Sequence, residues 1–328
     1  MGIDVVRAAS SRWSASDVRS WGRECGLAVQ LSATGQLALD AALCGAQVVT
    51  AAAREGFTVR TKSSHRDLVT EADAATELAV ITYLRRHRPH DVILGEESGT
   101  TGTGTTSWTI DPIDGTANFA RARADYAVAI SAAVDGRLTV GAIVKPATGE
   151  WIACDESGAV AHSGGRAGVS GVAAMSDALV SVSVSVDEAR RPLTLSTFTR
   201  LLPEVQDFRR TGSTSCDLLA IATGHLDAYV GIGTNPWDIS PGWALVDAVG
   251  GKCLKFEVAG GYEAFVVGTP AISEKIAAVV AENARTFVAA RAFPARGLRT
   301  AASPAPQTAP RPESITAQRK SGDAERSR

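Results

Sequence analysis

This chain has almost no excess of either charge: 33 Lys and Arg stand against 35 Asp and Glu, a formal net charge of −2 over 328 residues. That balance supplies no polybasic surface, so neither nucleic acid nor an acidic membrane is an expected partner. The sequence also lacks any run of about 18 consecutive apolar residues, the length that reads as a membrane-crossing helix. Its N-terminus lacks the basic-then-apolar layout of a signal peptide. The five cysteines (Cys25, Cys44, Cys154, Cys216, Cys253) are odd in number and scattered, and form no C-x-x-C pair. This argues against a disulfide framework or a zinc site. The five histidines do not cluster at ligand spacing. No Gly-Lys-Ser/Thr follows the Gly/Thr-rich run Ser98 to Ser107, so that run is a loop and not a Walker A motif. No Ser-His or Cys-His arrangement reads as a covalent nucleophile. Together these absences point to a cytoplasmic globular protein in which any metal is held by oxygen.

What is present is an ordinary soluble balance, 45% hydrophobic and 21% charged, which is enough for a large core. Residues 1–32 are polar, with Trp13 and Trp21 as the large apolar groups, and read as an extension. Residues 33–293 form the expected body, and 294–328 a Pro/Ala/Arg-rich tail that cannot bury enough to order itself. In the body, an apolar stripe from Ala33 to Gly56 predicts a helix, as does Glu71 to Arg86, opening on acids and closing on arginines. DVILGEES and SWTIDP read as short strands ending in acids. YAVAISAAV and LTVGAIVKP alternate around Asp135-Gly136, a hairpin signal. LVSVSVSVD, from Leu179, predicts a strand with one buried face. A helix follows Gly212-Ser213, and LDAYVGIG is a further strand. WDISPGWALVDAVGG starts a helix with Asp238 at or near its N-cap, Pro241 in the first turn and Gly250-Gly251 as the stop. A last amphipathic helix runs from Pro270. The pattern predicts a mixed α/β body with helices layered on sheets.

The chemistry concentrates in four segments. In Asp111-Pro112-Ile113-Asp114-Gly115-Thr116, Pro112 biases Asp111 to an extended conformation and starts a turn. Carboxylates at i and i+3 can then converge beside the Ile113 carbonyl. Gly115 permits close approach of backbone to an anion. Hard cations such as Mg²⁺ favour such an oxygen array, completed by a phosphate. Glu96-Glu97 lies at the C-terminal end of a predicted strand, where ligands bind in α/β sheets. KSSHRDLVTEAD carries Lys62, Asp67, Thr70 and Asp73. Trp237-Asp238 puts an acid at a helix N-terminus. Alone, each has an ordinary structural reading: a turn, a solvated strand end, a capped helix start, an N-cap.

In combination, KSSHRDLVTEAD, GEES, WTIDPIDGT, RRTGS and PWD resemble the inositol monophosphatase family in order and approximate spacing. The resemblance covers nearly the whole expected body. It implies the αβαβα five-layer sandwich of the sugar-phosphatase fold and a lithium-sensitive, Mg²⁺-dependent phosphomonoesterase using two or three ions and a metal-activated water. It implies that Glu96, Asp111, Asp114 and Asp238, with the Ile113 carbonyl, are metal ligands. Asp73 and Thr116, with Glu96 close by, would activate the water, and Gly115 and Thr116 would bind phosphate beside Asp114. Gly212, Ser213 and Thr214 match the loop that faces the sugar or cyclitol. Cys216 and Asp217 begin the helix beside that loop. Arg209 and Arg210 have three readings: a substrate phosphate contact, a pairing with acids, or a subunit contact.

One position departs from the pattern. Inositol-selective relatives carry an acid seven residues before the WD aspartate, and here that position is Gly231. The change is expected to weaken recognition of a bare inositol ring or to make room for a larger group. Expected substrates are thus a small phosphate monoester, with myo-inositol 1-phosphate first by family frequency. The alternatives are 3′-phosphoadenosine 5′-phosphate or a modified nucleoside monophosphate from a biosynthetic pathway, fructose 1,6-bisphosphate and histidinol phosphate. A non-catalytic regulatory descendant is the rival from another class. Relatives commonly form homodimers, so a homodimer is a further expectation.

Overall fold

The computed structural model describes residues 29–292, apart from residues 166, 186 and 259, with side chains through Phe287. The expected tail lies outside the described residues, as does all of the expected extension except residues 29–32. Those last residues already belong to the body: Leu31 is buried in the core, and the Ser32 amide donates to Asp155 Oδ2 at 2.5 Å.

The first half runs α1 (Ala33–Glu55), β1 (Val59–Thr61), β2 (Leu68–Thr70), α2 (Glu71–His87), β3 (Val92–Gly95), β4 (Gly99–Thr101), β5 (Ser107–Asp114) and the single turn α3 (Thr116–Phe119). It continues with β6 (Ala127–Val134), β7 (Arg137–Lys145), β8 (Glu150–Cys154) and β9 (Val160–His162). The second half runs β10 (Leu179–Val182), α4 (Arg191–Leu201), β11 (Asp207–Arg209), α5 (Thr214–Ala222), β12 (Ala228–Ile232), α6 (Pro236–Ala248), β13 (Lys252–Val258), β14 (Tyr262–Gly268) and α7 (Pro270–Ala292). Seven strands form one sheet in the order β4-β3-β5-β6-β7-β8-β9, and five form another in the order β11-β10-β12-β14-β13.

Three apolar clusters define the layers. The first joins α1 and α2 to the outer face of the large sheet through Leu39, Leu43, Val80, Ile110 and Ile113. The second lies between the two sheets, where α5 and α6 contribute Leu218, Ile221, Leu245 and Val246. The third packs α4 and α7 on the far face of the small sheet. The result is the expected five-layer αβαβα sandwich. Burial on both faces is what the sequence period concealed. Six consecutive residues of β6, Ala127 to Ala132, are buried, as befits a strand covered by helices on both sides. β10 is likewise not a long half-exposed strand: it has four residues, paired in parallel on both sides, with Val180, Ser181 and Val182 all buried.

Local sequence accounts for the element ends. Ser32 Oγ accepts from the Gly35 amide at 3.1 Å, capping α1, and the helix stops at Gly56. In length and composition α1 could cross a membrane, contrary to the sequence expectation. Here twelve of its residues are buried, packed on the large sheet. Part of the Gly/Thr-rich loop forms the edge strand β4 and pairs with β3. α6 begins earlier than expected, with Asn235 as N-cap and Pro236 and Asp238 both in its first turn, which leaves Pro241 inside the helix.

Candidate metal-dependent active site

The Asp-Pro-Ile-Asp segment does not leave the sheet in a turn. β5 runs on through Asp114, and its pairing with β6 slips by one residue: Asp111 faces Ala129, while Asp114 faces Ala127. In a regular strand, side chains three apart point to opposite faces. The extra residue is a β-bulge and resets that alternation. Directly paired residues share a face, and Ala127 and Ala129 both belong to the cluster between the sheets. Asp111 and Asp114 therefore both point into the middle layer, while Ile110 and Ile113 point into the outer core. Pro112, at the bulge, has no N–H to withdraw from the ladder.

The middle layer supplies the third acid. Asp238, in the first turn of α6, meets the two strand aspartates so that one carboxylate oxygen of each lies within 4.8 Å of the others. Asp111 and Asp114 are buried, and Asp238 is half-buried. Glu96, just past the end of β3, adds its field to Asp111 and Asp238. Its Oε1, however, is held by Lys62 Nζ at 2.7 Å, and the same ammonium lies 2.5 Å from Glu97 Oε1. The Glu96-Glu97 turn is fixed from below by a residue the sequence reading missed. Glu77 on α2 accepts the Glu97 and Ser98 amides at 2.9 and 2.8 Å. A buried acid four helical positions past Asp73 carries no motif that would single it out.

Electrostatically the cluster favours protons or cations. Burial first, then the charges of Glu96, Asp114 and Asp238, hold Asp111 well above the usual carboxylate range. Burial, followed by Asp114 and Glu96, pushes Asp238 up to about 8. Glu96 is pushed to about 7, chiefly by burial, despite the opposing Lys62. Asp114 is raised by burial but eased by hydrogen bonds: Ser213 Oγ donates to its Oδ2 at 3.0 Å, and the Ser215 amide also donates there. Asp111 Oδ1 is buried with no hydrogen-bond partner. Such an orphan acceptor among other acids is costly unless a cation fills the space. The donor set, all oxygen and mostly carboxylate, fits a hard divalent ion such as Mg²⁺.

The water-activating candidates are adjacent. Asp73 is buried and accepts from Thr70 N at 2.8 Å and Thr70 Oγ1 at 2.6 Å. Its other oxygen lies 3.2 Å from Thr116 Oγ1, which is also 3.1 Å from the Ile113 carbonyl. Gly115 has φ 92°, and a Cβ there would lie 2.9 Å from the Asp125 carbonyl and 3.1 Å from Ser213 Cβ. Only glycine combines that backbone with that closeness.

A cleft of ≈ 460 Å³ opens over Glu96, Asp114, Gly115, Thr116 and Asp238, with Gly212 and Thr214 on its wall. Ser213 is a correction. It is 1% exposed and turns inward to Asp114 while capping α5, so it supports a cage acid and does not face a substrate. Gly231 is another. It opens no space, because a Cβ there would lie 2.3 Å from Thr234 Oγ1 and 2.6 Å from the Tyr229 hydroxyl. Tyr229 OH sits 3.3 Å from Thr214 Oγ1 and 3.4 Å from Thr234 Oγ1. A larger opening, ≈ 880 Å³, lies beside Phe57, Phe119 and Tyr126 and holds none of the cage acids.

Known proteins match this architecture. The model of the inositol monophosphatase family matches residues 31–289. An inositol-1-monophosphatase of Mycobacterium leprae is 35% identical over 240 residues, covering 69% of this chain and 82% of that protein. The Nus factor SuhB of Pasteurella multocida is 31% identical over 199 residues, covering 60% and 74%. The solved structure of an inositol monophosphatase from Anabaena superposes with a TM-score of 0.65 at 28% identity, covering 76% of this chain and 95% of that one.

Proposed function

Since this chain belongs to the inositol monophosphatase family, we propose that it hydrolyses a small phosphate monoester with Mg²⁺ held by Asp111, Asp114 and Asp238. Glu96 and the Ile113 carbonyl complete the ligand set. The observation that carries this reading is the convergence of three carboxylates within 4.8 Å around a buried, unpartnered Asp111 oxygen. Divalent ions in such a cage lower the pKa of water and neutralise the phosphoryl and leaving-group oxygens.

The protein's own groups do the positioning. Thr116 has one hydroxyl proton and two acceptors in reach, Asp73 Oδ1 and the Ile113 carbonyl. With that carbonyl turned to an ion, the Thr116 hydroxyl would donate to Asp73, leaving the lone pairs of Thr116 Oγ1 to orient the attacking water. Asp73 is poised to hold a proton at that point: burial raises its affinity above the usual carboxylate range, against the opposing hydrogen bonds of Thr70. Gly115 brings backbone against the phosphoryl group. Ser213 and Ser215 keep Asp114 oriented.

The family supplies myo-inositol 1-phosphate as the first substrate to assay, with nucleoside monophosphates, fructose 1,6-bisphosphate and histidinol phosphate beside it. Phosphate release is expected with Mg²⁺ and lost with a chelator. Asp111→Asn is expected to reduce it at least about a thousandfold while the protein stays folded. Turnover at the wild-type rate in that variant would sink the assignment. The name of the Nus factor relative favours a second reading, a regulatory protein without catalysis. The full acid set weighs against it, and calorimetry showing no Mg²⁺ binding would favour it.

A further inference from the structure

We infer that the alcohol released at this site carries a negative charge of its own, and that Arg210 is the side chain that recognises it. This rests on the phosphatase reading above and adds to it the class of the leaving group.

Beyond the cage, the cleft is walled by three arginines, Arg66, Arg190 and Arg210, with the acids Asp67 and Asp187. Their availabilities differ. Arg190 is committed: its Nε lies 3.0 Å from Asp187 Oδ2, its Nη1 donates to the Gly233 carbonyl at 2.5 Å, and its guanidinium sits 5.1 Å from the centre of the Tyr262 ring. Arg66 is tied to Glu188 at 3.0 Å, with the partner side chain 79% exposed, a pairing that solvent weakens. Asp67 is turned into its own loop, accepting from the Ser63 amide and hydroxyl. Arg210 has no acid and no hydrogen-bond acceptor among the described residues, whereas its neighbour Arg209 is held by Asp207 at 2.5 Å.

The base of Arg210 is nevertheless anchored. The next residue, Thr211, donates its hydroxyl to Asp217 Oδ1 at 2.8 Å, and its carbonyl accepts from Asn118 Nδ2 at 2.9 Å. Asn118 lies two residues after Thr116, in the turn α3, so the loop that carries Arg210 is registered against the cage. Arg210 is exposed, and a guanidinium without a partner on an anchored backbone is available to an anion that enters the cleft, where its planar fork matches a carboxylate or phosphate.

The cluster beside position 231 offers little to a neutral polyol. The hydroxyls of Thr214, Tyr229 and Thr234 lie within hydrogen-bond reach of one another, and no carboxylate projects from position 231 to accept sugar hydroxyls. Ions in the cage would balance the reacting phosphoryl group, which leaves the charge of Arg210 to be matched by the rest of the substrate.

The test uses two substrate pairs assayed with Mg²⁺: glycerol 3-phosphate against 3-phosphoglycerate, and fructose 1-phosphate against fructose 1,6-bisphosphate. Each pair differs in the charge of the released alcohol. The wild type is expected to favour the anionic member of at least one pair by tenfold or more in kcat/KM. Arg210→Gln is expected to collapse that ratio, and Arg210→Lys to restore part of it. Phosphate release without a charge preference in either pair overturns this inference alone, as does an Arg210→Gln ratio equal to that of the wild type. No release from any of the four, with release from myo-inositol 1-phosphate, overturns this inference alone; no release from these or from any substrate named above overturns the phosphatase reading and this one with it.

Discussion

Lys62 Nζ lies 2.7 Å from Glu96 Oε1 and 2.5 Å from Glu97 Oε1, so an ammonium group already neutralises one of the acids placed at the metal cage. Burial works against the charge on Lys62, but the hydrogen bonds and charges of Glu96 and Glu97 outweigh it and hold the ammonium above its usual range. Lys62 thus competes for a ligand and also repels incoming cations, and both effects have the same sign. Lys62→Met is therefore expected to tighten Mg²⁺ binding, on the order of tenfold for unit charges a few ångströms apart at partial burial. Isothermal calorimetry on the two proteins reads this directly. Weaker binding in the variant would mean that Lys62 organises the site and does not compete with the ion.

The metal-free protein should lose stability as pH rises. Glu96 at about 7 and Asp238 at about 8 lie above the roughly 4 of a carboxyl in an unfolded chain. The native state therefore binds protons more tightly than the unfolded state. That contribution is complete below the unfolded value and is lost as pH climbs through 7 and 8. Thermal unfolding in a chelator should show a melting temperature falling between about pH 6 and 8.5. Saturating Mg²⁺ should remove the slope and release protons on binding. A flat profile in the chelator would mean that the acids are separated in solution.

Restoring an acid at position 231 should damage the fold before it alters specificity. In Gly231→Asp the new Cβ would crowd Thr234 Oγ1 and the Tyr229 hydroxyl, in a buried strand between β10 and β14. Overpacking of this kind costs about 1–3 kcal/mol, and a buried carboxylate adds to it. Denaturant unfolding of the metal-loaded protein measures the loss. An unchanged midpoint would show that the hydroxyl cluster yields and that the pocket can be converted.

The parts of this structure that were legible in the sequence are those whose signals are local. α1 is bounded by Ser32 and Gly56, the β6–β7 hairpin turns at Asp135-Gly136, and α6 ends just before Gly250. The strands β8, β13 and β14 and the helix α4 fall outside the expected elements, although β13 alternates Leu254, Phe256 and Val258 with Lys255 and Glu257. β10 was overextended, since Ser181 and Ser183 look like a solvent face. Ser181 is in fact fully buried, where it donates to Asp217 Oδ2 at 2.5 Å. For the site, the family pattern supplied residue types, but several roles depend on distant partners. Ser213 reads as a substrate loop residue until Asp114, 99 positions away in the chain, is seen to need its proton. Gly231 reads as added room until Tyr229 and Thr234 are seen filling it.

The extra residue in β5 makes the length of this segment matter more than most of its letters. Deleting Ile113 would remove the bulge and bring the pairing with β6 back into step. Asp114 would then stand two residues from Asp111 and keep to the same face, but the outer core would lose the Ile113 side chain and Thr116 Oγ1 the carbonyl beside it. Exchanging one apolar letter for another at 113 leaves both in place, so the segment tolerates a change of letter there better than a change of count.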